Sequence, residues 1–289
     1  MLLIEFLQTE QPFFVGILFV LGLVCGSFLN VVIYRLPIML NNEWQAAAQG
    51  MLGLEVKERP IFNLVMPNSI CPKCGHKIRA WENIPLISYL FLGGKCSSCK
   101  TSISIRYPIV EFSAGIIAAY IAWHFGFSYH TLWMLIFAWS LLVMSLIDID
   151  HQILPDNIVL PMLWLGLIIN QFSFFTTPTS ALIGAIVGYL SLWLVYWGFK
   201  LLTGKEGMGY GDFKMLAMLG SWCGWQLLPF IILASSIVGA ILGIVIIKMA
   251  GKNYQTTTLP FGPYLAVAGF IALVWGNYLI TNYLPWLAM

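Results

Sequence analysis

Four long stretches of this chain contain no acidic or basic residue, and that spacing limits what it can fold into. Residues 112–147, 157–199, 215–247 and 253–289 lack Asp, Glu, Lys and Arg, and residues 11–34 form a shorter fifth stretch. A helix that crosses a bilayer needs about 20 consecutive apolar residues. The first two stretches can therefore hold two helices each if a turn divides them. His124-Phe-Gly-Phe-Ser-Tyr-His130 and Thr176-Thr-Pro-Thr-Ser180 supply such turns, and Trp222-Cys-Gly-Trp-Gln226 separates a short helix from a longer one in the third. The spacing predicts an all-α polytopic membrane protein of about eight transmembrane helices, near 13–34, 107–125, 130–148, 157–175, 180–202, 212–223, 227–248 and 262–284. Composition agrees. Only 9% of residues are charged and 60% are hydrophobic, against about 25% charged in a soluble domain. A net charge of +2 excludes nucleic-acid binding by bulk positive charge, and no nucleic-acid partner is expected.

The basic residues orient the chain. Of 14 Lys and Arg, nine lie between Arg35 and Arg106, and the rest are Lys200, Lys205, Lys214, Lys248 and Lys252. Cytoplasmic loops carry the excess of Lys and Arg. With eight helices and the N-terminus outside, all 14 fall on one side. With seven, Lys248 and Lys252 move outside, so eight is preferred. The first helix has Glu5 and Glu10 before it, no basic residue, and too long an apolar run for a cleavable signal. It reads as a retained anchor.

The organisation is then a first helix (1–34), a polar cytoplasmic insert (35–106) and a helical remainder (107–289). The insert holds four of the six cysteines, as Cys71-Pro-Lys-Cys74 and Cys96-Ser-Ser-Cys99. Two Cys-x-x-Cys turns can present four thiolates to one metal, the zinc-ribbon pattern, and four sulfurs leave no open position for catalysis. A structural Zn²⁺ on Cys71, Cys74, Cys96 and Cys99 is the favoured reading, with two disulfides the alternative, because disulfides are rare in the cytoplasm. Cys25 and Cys223 read as small buried residues. Glu82 reads either as a functional carboxylate or as a solvated loop charge.

Twelve acids are few enough to inspect one by one. Asp148, Asp150 and Asp156 follow an apolar helix in Leu146-Ile-Asp-Ile-Asp-His-Gln-Ile-Leu-Pro-Asp156, and Asp212 opens another in Gly207-Met-Gly-Tyr-Gly-Asp212. Ionisable groups at membrane depth are costly and usually functional. Two adjacent carboxylates cannot both ionise easily, so they share a proton. One can then activate water while the other donates to a carbonyl. Helix capping and solvated charge are the structural alternatives, for Asp150 and Asp156 above all. Tyr210 and Lys214 flank Asp212 in either a tuning or an interfacial role. No His-Glu-x-x-His metalloprotease motif and no Gly-x-Ser-x-Gly elbow is present, and the four histidines are not ligand-spaced.

Taken together and in order, the motifs resemble the type IV prepilin peptidase/N-methyltransferase family. Gly-Tyr-Gly-Asp212 is similar to the Gly-x-Gly-Asp signature of membrane aspartic proteases, and Asp148 with Leu154-Pro-Asp156 to the family's first catalytic motif. Gly26-Ser-Phe-Leu-Asn-Val-Val-Ile-Tyr-Arg-Leu-Pro37, Pro-Asn-Ser69, the paired cysteines, Trp-Glu-Asn-Ile-Pro85 and Gly-Lys-Cys96 extend the likeness over nearly the whole chain. The resemblance implies a bifunctional enzyme of the bacterial inner membrane. Such an enzyme cleaves the basic leader of type IV prepilins or type II pseudopilins at the cytoplasmic face, with Asp148 and Asp212 catalytic. It then N-methylates the new N-terminal residue with S-adenosylmethionine as donor. The implied partners are prepilin or pseudopilin substrates and membrane lipid. Gly94, Glu82 and residues 30–35 are candidates for the methyl-donor site. Asp150, Asp156 and Glu206 are candidates for receiving the basic leader.

Two rival readings stand beside it. In a proton- or ion-coupled transporter, Asp148, Asp150 and Asp212 would form a relay, although no inverted repeat is evident. In a membrane scaffold, the insert would be a binding module and Asp148→Asn and Asp212→Asn would be tolerated.

Overall fold

A computed structural model describes residues 2–54, 60–205, 207–249 and 259–283. Lys252 and Glu206 lie outside the described residues. The elements are α1 (Leu2–Thr9), α2 (Gln11–Met51), α3 (Ile87–Phe91), α4 (Arg106–Phe125), α5 (Tyr129–His151), α6 (Asp156–Asn170), α7 (Pro178–Thr203), α8 (Tyr210–Cys223), α9 (Leu228–Met249) and α10 (Gly262–Tyr283). Among the described residues the only strand-like pairings are two single bridges, Ile70 with Lys77 and Lys95 with Ser102. The protein is an all-α polytopic membrane protein with a small insert, as the charge spacing predicts. Among the described residues, five helical segments are long and apolar enough to cross a bilayer: α2, α4, α5, α7 and Trp225–Ile246.

The helix ends differ from expectation in two instructive places. The first helix does not stop at 34 but runs to Met51. Polarity marks the end of the apolar stretch at 34, yet Leu40, Glu43 and the Gln45-Ala-Ala-Ala-Gln49 run are strong helix formers. Pro37 removes one backbone bond without ending the helix. The fourth helix expected, 157–175, ends instead at Asn170. The Asn170 side chain is fully buried, and its Oδ1 accepts the amides of Phe175 (3.0 Å) and Thr176 (3.2 Å). Those bonds turn the chain where an apolar pattern alone would have continued it.

The chain divides into two compact units, residues 1–139 and 140–289. In the first, α2 and α4 pack along a stripe of small residues. A Cβ on Gly22 would lie 2.7 Å from the Ala114 carbonyl oxygen, and one on Gly26 would lie 2.7 Å from the Glu111 Cα. Lipid tails are as apolar as Leu, so helices associate in membranes by close packing of small residues rather than by a hydrophobic drive. Phe14 against Phe127 closes one end of this unit edge to face, and the Gln11 amide reaches the Trp123 carbonyl at 2.7 Å.

In the second unit α8 is the core. Between Asp212 and Cys223 every residue except Lys214 is buried, with α6, α7, α9 and α10 packed around it. The helix α7 crosses it at Gly184 and Gly188, where an added Cβ would meet the backbone of Gly220 at 2.3 Å and of Leu216 at 2.6 Å. Asn170 Nδ2 donates to the carbonyls of Ser221 (2.8 Å) and Trp222 (3.2 Å), which fixes the C-terminal end of α8. The Trp222 indole donates to the Met162 carbonyl at 2.8 Å. The N-terminal end of this buried, rigidly held helix carries Asp212.

Candidate active site

Asp148 lies in the last turn of α5 and Asp212 in the first turn of α8, and both side chains are buried, 5% and 9% exposed. They are 64 positions apart (212 minus 148) and meet in the second unit. Past Asp148 the chain reverses at Gln152, which takes φ +54° and donates its amide to the Asp148 carbonyl at 2.9 Å. The reversal brings Leu154 back against Gly211, next to Asp212, and Gly262, whose amide meets Asp148. A Cβ on Gly211 would lie 2.9 Å from Leu154 Cβ, and one on Gly262 would lie 3.1 Å from Leu154 Cδ2. Asp148 and Asp212 lie close enough for direct electrostatic interaction.

Asp148 is fixed from a third element. The Gly262 amide, at the start of α10, donates to Asp148 Oδ2 at 2.9 Å. The first amides of a helix have no partner within it and suit a carboxylate. Glycine is required there, because a Cβ at 262 would lie 2.7 Å from that same oxygen. The sequence reading did not single out Gly262. Phe261-Gly-Pro-Tyr264 carries a signal, since Pro just inside a helix start marks an N-terminus, but nothing in the sequence says which side chain that N-terminus receives.

Asp150, two residues on from Asp148, turns to another side of the helix and is exposed. Asp156 sits in the first turn of α6 and pairs with Lys214, whose Nζ lies 2.9 and 2.7 Å from its two oxygens. Lys214 thus ties α8 to α6 rather than approaching Asp212. Tyr210 packs with Tyr196 and Phe213, ring centroids 5.3 and 5.4 Å away.

In the first unit the four insert cysteines come together, with their Sγ atoms all within 4.8 Å of one another. Cys71 to Cys99 is 3.8 Å and Cys74 to Cys96 is 4.0 Å. A tetrahedral zinc with Zn–S of about 2.3 Å has sulfur–sulfur edges of about 3.8 Å, so the donor set fits such a metal. The two turns are built alike. Gly75 donates to the Cys71 carbonyl and Lys100 to that of Cys96, and both residues take positive φ, +70° and +59°. The turns favour thiolate at two of the four sulfurs. The Cys74 amide and then the Lys73 amide lower the Cys71 thiol, and Thr101, side chain first, holds Cys99 at about 6. Cys74 goes the other way: although the His76 amide lowers it, burial and the Cys99, Cys71 and Cys96 thiols push it up to about 11.

Glu82 belongs to this ribbon. It accepts the Arg79 amide at 2.8 Å and faces His76 Nε2 at 3.1 Å, and His76 Nε2 lies 3.2 Å from Ser97 Oγ in the second turn. The Arg79 amide, then the Ser97 hydroxyl, then His76 hold its carboxyl at about 2. The other methyl-donor candidates are also engaged by the fold. Gly94 sits at φ +66° with the Tyr89 ring 3.0 Å from where a Cβ would be. Asn30 donates to the Tyr107 carbonyl (3.1 Å), and the buried Arg35 donates to those of Asn63 (2.9 Å) and Pro67 (2.6 Å), its guanidinium over Phe62. Asn30 thus ties α2 to α4 and Arg35 ties α2 to the insert, while Glu82 and Gly94 make these contacts within the insert.

The fold and site define a class: a helical membrane protein with one buried aspartate pair and a separate four-cysteine insert. Residues 20–125 match the model of the bacterial peptidase A24 N-terminal domain, and residues 135–244 that of the type IV leader peptidase family. The chain is 59% identical to a prepilin leader peptidase/N-methyltransferase of Stutzerimonas stutzeri, over 97% of each chain. It is 57% identical to that of Pseudomonas aeruginosa over 98% of this chain and 97% of the relative. With the Aeromonas hydrophila protein the identity is 47%, over 98% and 99%. This chain therefore belongs to the prepilin leader peptidase/N-methyltransferase family. No solved structure matches it. Family membership decides for an enzyme over the transporter and scaffold readings.

Proposed function

We propose that Asp148 and Asp212 are the catalytic pair of a leader peptidase that acts on prepilins or pseudopilins at the cytoplasmic face of the bacterial inner membrane. The observation that carries this is the close approach of two buried carboxyls, Asp148 and Asp212, with Asp148 held by the Gly262 amide. One carboxylate takes a proton from water as the water oxygen attacks the scissile carbonyl carbon. The other, protonated, donates to the carbonyl oxygen. As the C–N bond breaks, the proton returns to the leaving amine. A pilin precursor fits this site by its own architecture. Its hydrophobic helix stays in the bilayer while the leader junction reaches the cytoplasmic ends of α5 and α8. Asp150, exposed two residues on from Asp148, is the acid offered for the basic leader.

The second activity is methylation of the new N-terminal amine, with S-adenosylmethionine as donor. When bound, that group supplies an electrophilic methyl on a sulfonium. The Cys71, Cys74, Cys96 and Cys99 set holds a structural Zn²⁺ that fixes the insert in the reading favoured here, and the first unit is assigned to methyl transfer. The N-terminus is placed in the periplasm and the insert in the cytoplasm, a placement supported by the grouping of Lys and Arg.

The test uses the whole chain in liposomes with a purified prepilin, and reads product mass. Wild type and Asp150→Asn should release the leader, and Asp148→Asn and Asp212→Asn should not while remaining folded. Cleavage by both of those variants would reject the assignment. With methyl donor present, wild-type product should gain one methyl mass.

A further inference from the structure

The one buried carboxyl of the first unit's membrane helices has no part in either site described above. Glu111 lies one turn into α4 and is 8% exposed. Its Cα backs directly onto Gly26 of α2, and Ser27 bonds its carboxyl. Ionisable side chains at membrane depth are functional by default. What Glu111 does there is hold a piece of the insert: the Leu86 amide donates to its Oε2 at 2.9 Å.

Leu86 is a strained backbone position of the insert. It takes φ +58° and ψ −47°, and the Ile87 amide closes a three-residue turn onto the Pro85 carbonyl at 2.6 Å. That is a γ-turn of the positive-φ kind, which is rare and strained. A branched side chain at positive φ has no conformational excuse. Strain of this kind persists where surroundings over-determine it, and it clusters at functional sites. From Leu86 the chain enters α3, passes Gly93 and Gly94 at positive φ, and reaches Cys96. The direction in which this arm leaves the membrane helices is set at Leu86.

We propose that Glu111 is a positioning residue for methyl transfer: its carboxyl holds the strained Leu86 turn and so sets the arm from α3 to Cys96 against the α2–α4 hairpin, without touching the reacting atoms. This rests on the assignment of methyl transfer to the first unit. The Asp148–Asp212 pair lies in the second unit, so leader cleavage does not depend on the turn.

The experiment compares wild type, Glu111→Ala, Glu111→Gln and Glu111→Ala/Leu86→Gly in the same liposome assay, scoring leader loss and methyl gain separately. Amide exchange of residues 86–92 is followed by mass spectrometry without methyl donor. Glu111→Ala should cleave at the wild-type rate, methylate on the order of tenfold to a hundredfold more slowly, and lose protection at 86–92. Glu111→Gln keeps an acceptor oxygen and should fall less. Leu86→Gly removes the steric cost of positive φ and should restore both methylation and protection in the Glu111→Ala background. Unchanged methylation and protection in Glu111→Ala overturns the proposal while the bifunctional reading stands. Glu111→Gln as inactive as Glu111→Ala, with no rescue by Leu86→Gly, also overturns it and makes the carboxyl a chemical participant. Equal loss of cleavage and methylation overturns it in favour of a global role in folding. A wild-type protein that cleaves but never methylates removes the assignment beneath it as well.

Discussion

Single atoms decide whether the aspartate pair can work. The Gly262 amide fixes Asp148 only because nothing stands between them, and a Cβ at 262 would come 2.7 Å from Oδ2 and 3.2 Å from Cγ. Gly262→Ala should displace the carboxyl by a fraction of an ångström and lower leader cleavage by about a hundredfold, the scale of loss for a misplaced reacting group. The melting temperature in detergent should change little, and methylation of a substrate supplied already cleaved should persist. Glu82 carries a second residue-scale prediction. Its folded carboxyl sits at about 2 instead of the ordinary 4.5, so its contribution to the ribbon is complete above the ordinary value and is lost as pH falls through about 2. At neutral pH it is fully in force, and in protein loaded with Zn²⁺ Glu82→Gln should lose the metal to a chelator several-fold faster than wild type. Asp148, Asp212 and the four cysteines were legible in the sequence because each sits in a short motif whose chemistry is local. Gly262, Glu111 and Leu86 were not, because each acquires its role from a partner distant in sequence that no spacing reveals.

At the level of elements, the helices follow from the charge-free stretches, and their crossings follow from glycine. In the second unit Gly184 and Gly220 bring two backbones together so closely that a Cβ at 220 would lie 2.2 Å from the Gly184 carbonyl oxygen. Backbone cannot rotate aside as a side chain can. Gly220→Ala should therefore force α7 and α8 apart and destabilise the protein by about 1–3 kcal/mol or more, the usual range for overpacking, read as a lower melting temperature in detergent. Gly198 lies on the same helix α7 with nothing within 4 Å of an added Cβ, so Gly198→Ala should leave the melting temperature unchanged or raise it slightly. A sequence reader sees both glycines as equal interruptions of an apolar run. The same blindness explains α2. Its buried stripe continues past 35 only as far as Leu40, beyond which Glu43 and the Gln45–Gln49 run carry the helix by propensity alone, and the insert accordingly begins as a helix rather than a loop.

For the molecule as a whole, the open question is which helices complete a crossing. The helix α8 has 14 residues, about 21 Å at 1.5 Å per residue, against a hydrocarbon core of about 30 Å. It is buried among α6, α7, α9 and α10 rather than facing lipid, so hydropathy says nothing about its span. The basic residues do bear on it. If α8 carries the chain across, Lys248 lies on the same side as Lys200 and Lys205. If it turns back within the membrane, Lys248 and Lys252 lie on the outer side, apart from the other basic residues. A cationic end is more stable on the cytoplasmic side, and a buried helix can be shorter than the bilayer because protein and not lipid satisfies its ends, as Asn170 does at Ser221 and Trp222. A cysteine at Met249, which is 84% exposed, should react with an impermeant maleimide in inverted vesicles and not in intact cells. A cysteine at Thr177, in the connection before α7, should show the reverse. Labelling of position 249 from the outside would reduce the crossings to seven and make α8 a re-entrant helix. It would still leave Asp212 at the buried helix end that faces Asp148.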